Sequence, residues 1–185
     1  MLRPACFDVR TISDLKGLGP VDGSLVKERS GLLNGTPASG FLVRRLHQIH
    51  LSLFYEEAGS LGVTPVQMGA LIAIARESGR DQSSIAEEIG ADRATLAAVL
   101  ARLEANGLVR RTICKQDHRQ KLLYLTAKGQ RLVIKLQAPL KRANERTLAP
   151  LDQKEQKLFM QLLYALVDGG NDNARTKLSI VKNQT

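Results

Sequence analysis

The sequence predicts a mostly α fold with a small β-hairpin wing: a winged helix-turn-helix with N- and C-terminal dimerisation helices. Three observations carry that reading. Between Asp81 and Thr126 a helical apolar period stops at a glycine, resumes, and then gives way to two strand-like runs. Basic residues gather on that same stretch. Helices with more apolar surface than one neighbour can cover flank it on both sides.

Within the central stretch, Ile85, Ala86 and Ile89 recur at helical spacing until Gly90, which tolerates the left-handed conformation that ends a helix. Asp92 is placed to cap a second helix whose apolar face is Leu96, Val99, Leu100 and Leu103. Small Ala86 and Gly90 let the two helices cross closely, as a helix-turn-helix requires. Asn106-Gly107 is a second stop signal. After it, residues 108–113 and 121–125 read as strands around the charged tip 115–120. Such a module reads DNA.

The run IAEEIGADRATLAAVLARLEANGLVRR, followed by Asp117-His118-Arg119 and by Leu125-Thr126-Ala127-Lys128-Gly129, resembles the MarR family of bacterial transcription regulators. The resemblance covers roughly residues 40 to 168. It implies a dimer built by the first and last two helices, with the wings splayed outward, and a small aromatic acid as the signal that releases DNA.

Charge placement points the same way. From Asp92 to Lys121 seven Lys and Arg stand against three Asp and Glu, whereas from Tyr55 to Ala91 two stand against six. Positive charge on the reading elements favours DNA by releasing counterions from phosphates. The chain of 185 residues is long enough to bury a core, and with 43% hydrophobic and 24% charged residues it fits a globular protein. No stretch approaches the roughly 20 apolar residues of a membrane helix, and the N-terminus lacks a signal-peptide core, so a cytoplasmic protein is expected. Cys6 and Cys114 are too few for a disulfide framework.

In chain order, residues 1–36 are glycine- and proline-rich without period and read as a flexible arm. Residues 37–64 and 127–170 are assigned to a helical dimerisation region, 65–126 to the DNA-binding domain, and 171–185 to a polar tail. The first helix, about Ser39 to Ser60, carries the stripes Leu42, Leu46, Ile49, Leu53 and Val43, His47, His50, Phe54. Thr64-Pro65-Val66-Gln67 is a capping box with proline at the first helical position, opening a helix whose buried face is Met68, Leu71, Ile72 and Ala75. Thr126 caps a long helix from about Ala127 to Leu148, in which Pro139 predicts a kink or a break near Gln137. A second capping box, 152–155, opens a last helix with Leu158, Phe159, Leu162, Leu163 and Leu166 on its apolar face.

On the recognition helix, Arg93, Thr95, Ala97, Ala98 and Arg102 face outward. Arg93 and Thr95 can reach base edges or phosphate, and the alanines allow close approach or touch thymine methyls. On the wing, Arg119 is expected in a narrow minor groove, held in place by Asp117, and Arg110, Arg111, Lys115 and Lys121 at phosphates. Arg44, His47 and His50 are candidates to pair with the carboxylate of an effector, with Phe54, Met68 and Leu71 packing its ring. Two histidines without a third ligand do not make a metal site, and no cofactor motif appears. An enzyme is disfavoured, since no phosphate loop, nucleophile elbow or paired catalytic carboxylates are present. The expected partners are double-stranded operator DNA, a second copy of the chain and an aromatic carboxylate. The competing readings are a thiol switch at Cys114, whose neighbours Arg111 and Lys115 would favour the thiolate, and a non-specific nucleic-acid-packaging module.

Overall fold

The computed structural model describes residues 32–33, 36–37, 39–114, 120–174, 176 and 178. The chain divides into two compact units, residues 1–44 and 45–185. In the first, β1 (Leu32–Leu33) and β2 (Thr36–Pro37) pair antiparallel, so the stretch read as an arm carries a minimal hairpin. Strands two residues long show no apolar period, which is why the sequence did not announce them. In the same unit the Arg44 guanidinium lies 5.7 Å from the centroid of the Phe41 ring.

Helix α1 spans Ser39–Ala58 and passes into a 3-10 turn at Gly59–Leu61, closed by Gly62 in the left-handed region. The capping box forms as the sequence predicts: Gln67 donates its N–H to the Thr64 hydroxyl, and the Gln67 side chain accepts the Thr64 N–H. It starts α2 (Pro65–Arg76). The buried face of α2 differs from the predicted stripe. Gln67, Ala70, Leu71, Ala73 and Ile74 are buried, while Ala75 is exposed and Met68 only half-buried. Neighbours pack on α2 from more than one side, so its core face is wider than one stripe and rotated from it.

Next come β3 (Arg80–Asp81), α3 (Gln82–Ile89), α4 (Arg93–Ala105), β4 (Val109–Ile113) and β5 (Lys121–Leu125). The sequence predicted two strands; the sheet has three, in the antiparallel order β3-β5-β4. Val109 stands opposite Leu125 and Ile113 opposite Lys121, while Arg80 and Asp81 pair with Leu123 and Leu122. Asp81 then turns cap for α3, accepting from Ser83 and Ser84. Burial pushes its carboxyl up, but the Ser84 hydroxyl and the two backbone N–H groups outweigh this and hold it below the ordinary value of 3.8.

Of the kink or break expected near Gln137, the break does not occur: helix α5 (Ala127–Leu148) runs on through Pro139. A proline removes the bond its N–H would make to the carbonyl four residues earlier. That carbonyl belongs to Lys135, an exposed residue, so water can satisfy it. A tight corner at Leu148–Leu151 leads into α6 (Gln153–Gly170), whose capping box pairs Asp152 with Glu155.

Phe54, Leu71, Ile74, Ile85, Leu96, Leu100, Leu103, Leu123 and Leu136 are the fully buried large side chains, so every element from α1 to α5 except the short β3 and the outer wing strand β4 contributes one. Helix α6 contributes no buried residue; Leu162, Leu163, Tyr164, Leu166 and Val167 are exposed. No single helix among the described residues is long and apolar enough to cross a membrane.

Helices α1 and α5 are clamped by charge as well as by packing. Glu57 accepts from Arg142 Nε at 2.6 Å and from Arg146 Nη1 at 2.9 Å, and Glu56 takes the other Arg146 nitrogen at 2.7 Å. The Arg142 hydrogen bond first, and then that of Arg146, holds the Glu57 carboxyl below its ordinary value of 4.5. A depressed value in the folded chain contributes stability that is full above the unfolded pKa and lost as pH falls through the folded one. Glu57→Gln is therefore expected to lower the melting temperature at neutral pH, with the deficit shrinking as the pH is taken below about 4. Thermal melts across that range check it, and a deficit independent of pH would assign the loss to packing.

Candidate nucleic-acid interface

The geometry of the central module follows from its caps and turns. Gly90, at φ 64°, ends α3, and two residues later Asp92 starts α4 by accepting the Thr95 N–H at 2.9 Å. Leu96, Leu100 and Leu103 go fully inward and Val99 packs partly against the core. The opposite face of α4 is left to solvent: Arg93, Ala94, Thr95, Ala98, Ala101 and Arg102 are exposed and Ala97 is half-buried. This is the face predicted for DNA. The Thr95 hydroxyl donates to Asp92, which leaves its oxygen lone pairs as acceptors toward a ligand.

Helix α4 ends with Gly107 in the left-handed region, the Leu108 N–H returning to Leu103 O at 2.9 Å. That reversal aims β4 away from the helix axis. Thr126 ties the far end of the hairpin back, its N–H reaching Leu108 O at 3.0 Å and its hydroxyl Gly107 O at 2.7 Å. Thr126 also caps α5 through the Gly129 N–H at 3.1 Å. The predicted spacing of Leu125, Thr126 and Gly129 is thus a joint between wing, recognition helix and α5.

The wing cations are held in different ways. Arg110 is exposed, its guanidinium 4.5 Å from the Tyr124 ring centroid and bonded to Thr112 Oγ1. Arg111 is drawn inward, with Nε 3.3 Å from Glu104, an ion pair without hydrogen-bond alignment. Lys121 is exposed at the start of β5. Lys115, Asp117 and Arg119, the tip assigned to phosphate and minor groove, lie outside the described residues. Cys114 is buried at the end of β4, its N–H bonded to Gln120 O, and a buried thiol lacks the access a redox sensor needs. Cys6 lies outside the described residues.

Phe54 and Leu71 fill the core and Met68 packs against it. His50 Nδ1 lies 2.9 Å from Thr147 Oγ1, joining α1 to α5, while His47 is exposed. Arg44 belongs to the first unit. What sequence reading missed is Arg80, Glu88 and Arg76: Glu88 is buried and ion-paired to both arginines. The signal available was that Glu88, unlike its neighbour Glu87, stands one turn after Ile85 and so on the same side of α3 as that buried residue.

A helix-turn-helix followed by a sheet hairpin, with the outer face of its second helix free and basic residues on the hairpin, is a winged helix-turn-helix of the DNA-binding class. The model of the MarR family matches residues 61–120. The transcriptional regulator HosA of Escherichia coli O127:H6 is 34% identical over 126 residues, covering 68% of this chain and 92% of that protein. Among solved structures, the PcaV transcriptional regulator from Streptomyces coelicolor matches with TM-score 0.64 and 36% identity over 72% of this chain and 97% of its own. BpsR of Bordetella bronchiseptica, whose DNA binding is regulated by 6-hydroxynicotinic acid, matches with TM-score 0.68 and 25% identity over 71% and 94%. The chain belongs to the MarR family of transcriptional regulators.

Proposed function

We propose that this regulator is a cytoplasmic homodimeric repressor that holds operator DNA through α4 and the wing and releases it when a small aromatic acid binds. The observation that carries the DNA half is the outward face of α4. Arg93 stands exposed at its first turn, Arg102 about two and a half turns on at the other edge of the exposed face, and small Ala94, Ala98 and Ala101 between them let the helix enter a major groove. Arg110 and Lys121 on the wing suit phosphates, and we assign the minor groove to Arg119 with Asp117 as its positioning partner.

The exposed apolar residues of α6, with Ile49 and Tyr55 on α1, support the second copy. Two copies would place two recognition helices on half-sites about one helical turn apart. BpsR supports the choice of an aromatic acid. We assign His47 and His50 to its carboxylate, and Phe54, Met68 and Leu71 to its ring.

The test is binding of the protein to the DNA upstream of its own gene, titrated with hydroxylated benzoic and nicotinic acids. Affinity well above that for random DNA, lost on adding one compound, is the expected result. Specific binding indifferent to every compound would remove the effector, and no preference over random DNA would remove this operator. In the same assay Arg93→Ala is expected to weaken operator binding by about 1–3 kcal/mol if it reads a base, or to lower the salt slope by about 1 if it holds phosphate. A variant matching the parent on both counts would take Arg93 out of the interface.

A further inference from the structure

We infer that Tyr124 is a positioning residue of the wing, its ring holding the Arg110 guanidinium in place for a DNA phosphate; the inference rests on the proposed use of Arg110 there. Register puts the pieces side by side. Arg110 on β4 stands directly opposite Tyr124 on β5, and Arg80 of β3 stands opposite Leu123. Side chains alternate between the two faces along a strand. Val109, Leu123 and Leu125 are buried on one face of the sheet, so Arg110, Thr112 and Tyr124 share the other.

Gly79, the residue before β3, donates its N–H to Leu123 O at 2.9 Å. A Cβ there would fall 3.0 Å from the Tyr124 hydroxyl and 3.3 Å from the ring carbon that bears it. The far end of the ring therefore lies against bare backbone, at a glycine whose φ of 83° also favours that residue. On the β4 side the Arg110 guanidinium sits 4.5 Å from the ring centroid, within the range of a cation–π contact. Its Nη1 donates to Thr112 Oγ1 at 3.0 Å.

The result is a long side chain set before it meets DNA. A loose arginine gives up rotamer freedom on binding, and one already stacked gives up less. A guanidinium offers phosphate oxygens a planar fork of donors, and stacking engages its flat face rather than that edge. Charge agrees. Among the described residues no carboxylate pairs with Arg110, whereas its neighbour Arg111 is engaged by Glu104. Arg110 therefore brings its charge to a phosphate undiminished.

Two measurements on the full chain test this. In the DNA-free protein, the Arg110 side-chain proton signals, assigned by their loss in Arg110→Lys, are expected upfield of those of a free arginine, as the ring current of Tyr124 requires. The shift should vanish in Tyr124→Leu and persist in Tyr124→Phe. Its absence from the parent overturns the stack. The second is affinity for a random-sequence DNA duplex, which suffices because phosphate contacts carry no sequence information. Tyr124→Leu is expected to weaken binding about two- to tenfold, and Tyr124→Phe to match the parent. In an Arg110→Ala background Tyr124→Leu should cost nothing further, since the group it positions is gone. Equal losses in both backgrounds, as from a misfolded wing, overturn the positioning role. So does a Tyr124→Phe variant as weak as Tyr124→Leu. Arg110→Ala itself should lower the salt slope by about 1. Unchanged slope and affinity in Arg110→Ala, with the ring shift intact, would remove Arg110 from DNA and this role with it, while leaving the stack.

Discussion

Gly129→Ala is expected to destabilise the protein by about 3 kcal/mol, the upper part of the range for overpacking a core. Helix propensity alone argues for the opposite sign, since alanine in place of a helical glycine gains up to about 1 kcal/mol, less in a first turn such as this one. The contact decides otherwise. A Cβ at Gly129 would fall 2.1 Å from Leu108 O and 3.1 Å from Leu108 C. This neighbour cannot yield as a flexible side chain would. Leu108 O is held by the Thr126 N–H at 3.0 Å and approached by its hydroxyl at 3.3 Å. Relief must come from moving α5 off the wing entry, and that opens the joint on which the hairpin is aimed. Urea unfolding followed by circular dichroism measures the loss; a neutral or stabilised variant would mean that the helix and the strand entry are farther apart than described. DNA binding should fall with it, because the displaced element is the root of the wing.

The second large effect is expected at Glu88. Its side chain is 7% exposed and pairs with Arg80, 18% exposed, and with Arg76 at 3.0 Å, 58% exposed. Arg80 also donates to Ser84 O at 2.8 Å, which fixes it against α3. Removing one partner of a pair this far from water leaves the other charge uncompensated, a loss of about 3 kcal/mol or more, against under about 1 kcal/mol for a surface pair. Glu88→Ala is thus expected to cost about 3 kcal/mol. Arg76→Ala, which removes the solvent-screened partner, should cost less than about 1 kcal/mol. Equal losses in the two variants, measured by denaturant unfolding, would show that burial does not govern this cluster.

These two sites differ in how far they could be read in advance. Gly129 was legible as part of a motif, since Leu125, Thr126 and Gly129 stand in the family spacing; its reason, a carbonyl from another element, was not. Glu88 was read only as one of six acidic residues between Tyr55 and Ala91. Nothing in its local sequence says that Arg80 crosses to it, because that meeting depends on β3 pairing with β5.

Local physics explains what could be read from the chain alone. Caps, glycine turns and apolar periods act within about four residues, so Thr64, Asp92, Gly107 and Thr126 announced their helices, and Leu96, Leu100 and Leu103 announced the inward face of α4. The outward face with Arg93 and Arg102 followed by elimination. Tertiary structure alone decided the rest. The third strand has only two residues and no period, and exists because β5 offers it a free edge. Helix α5 continues through Pro139 because the carbonyl left without a donor belongs to exposed Lys135. Phe54 and Leu71 are core residues because α2 is enclosed on several sides, a fact about neighbours distant in sequence. Periodicity tells which residues leave water; only the meeting of distant segments tells what they meet.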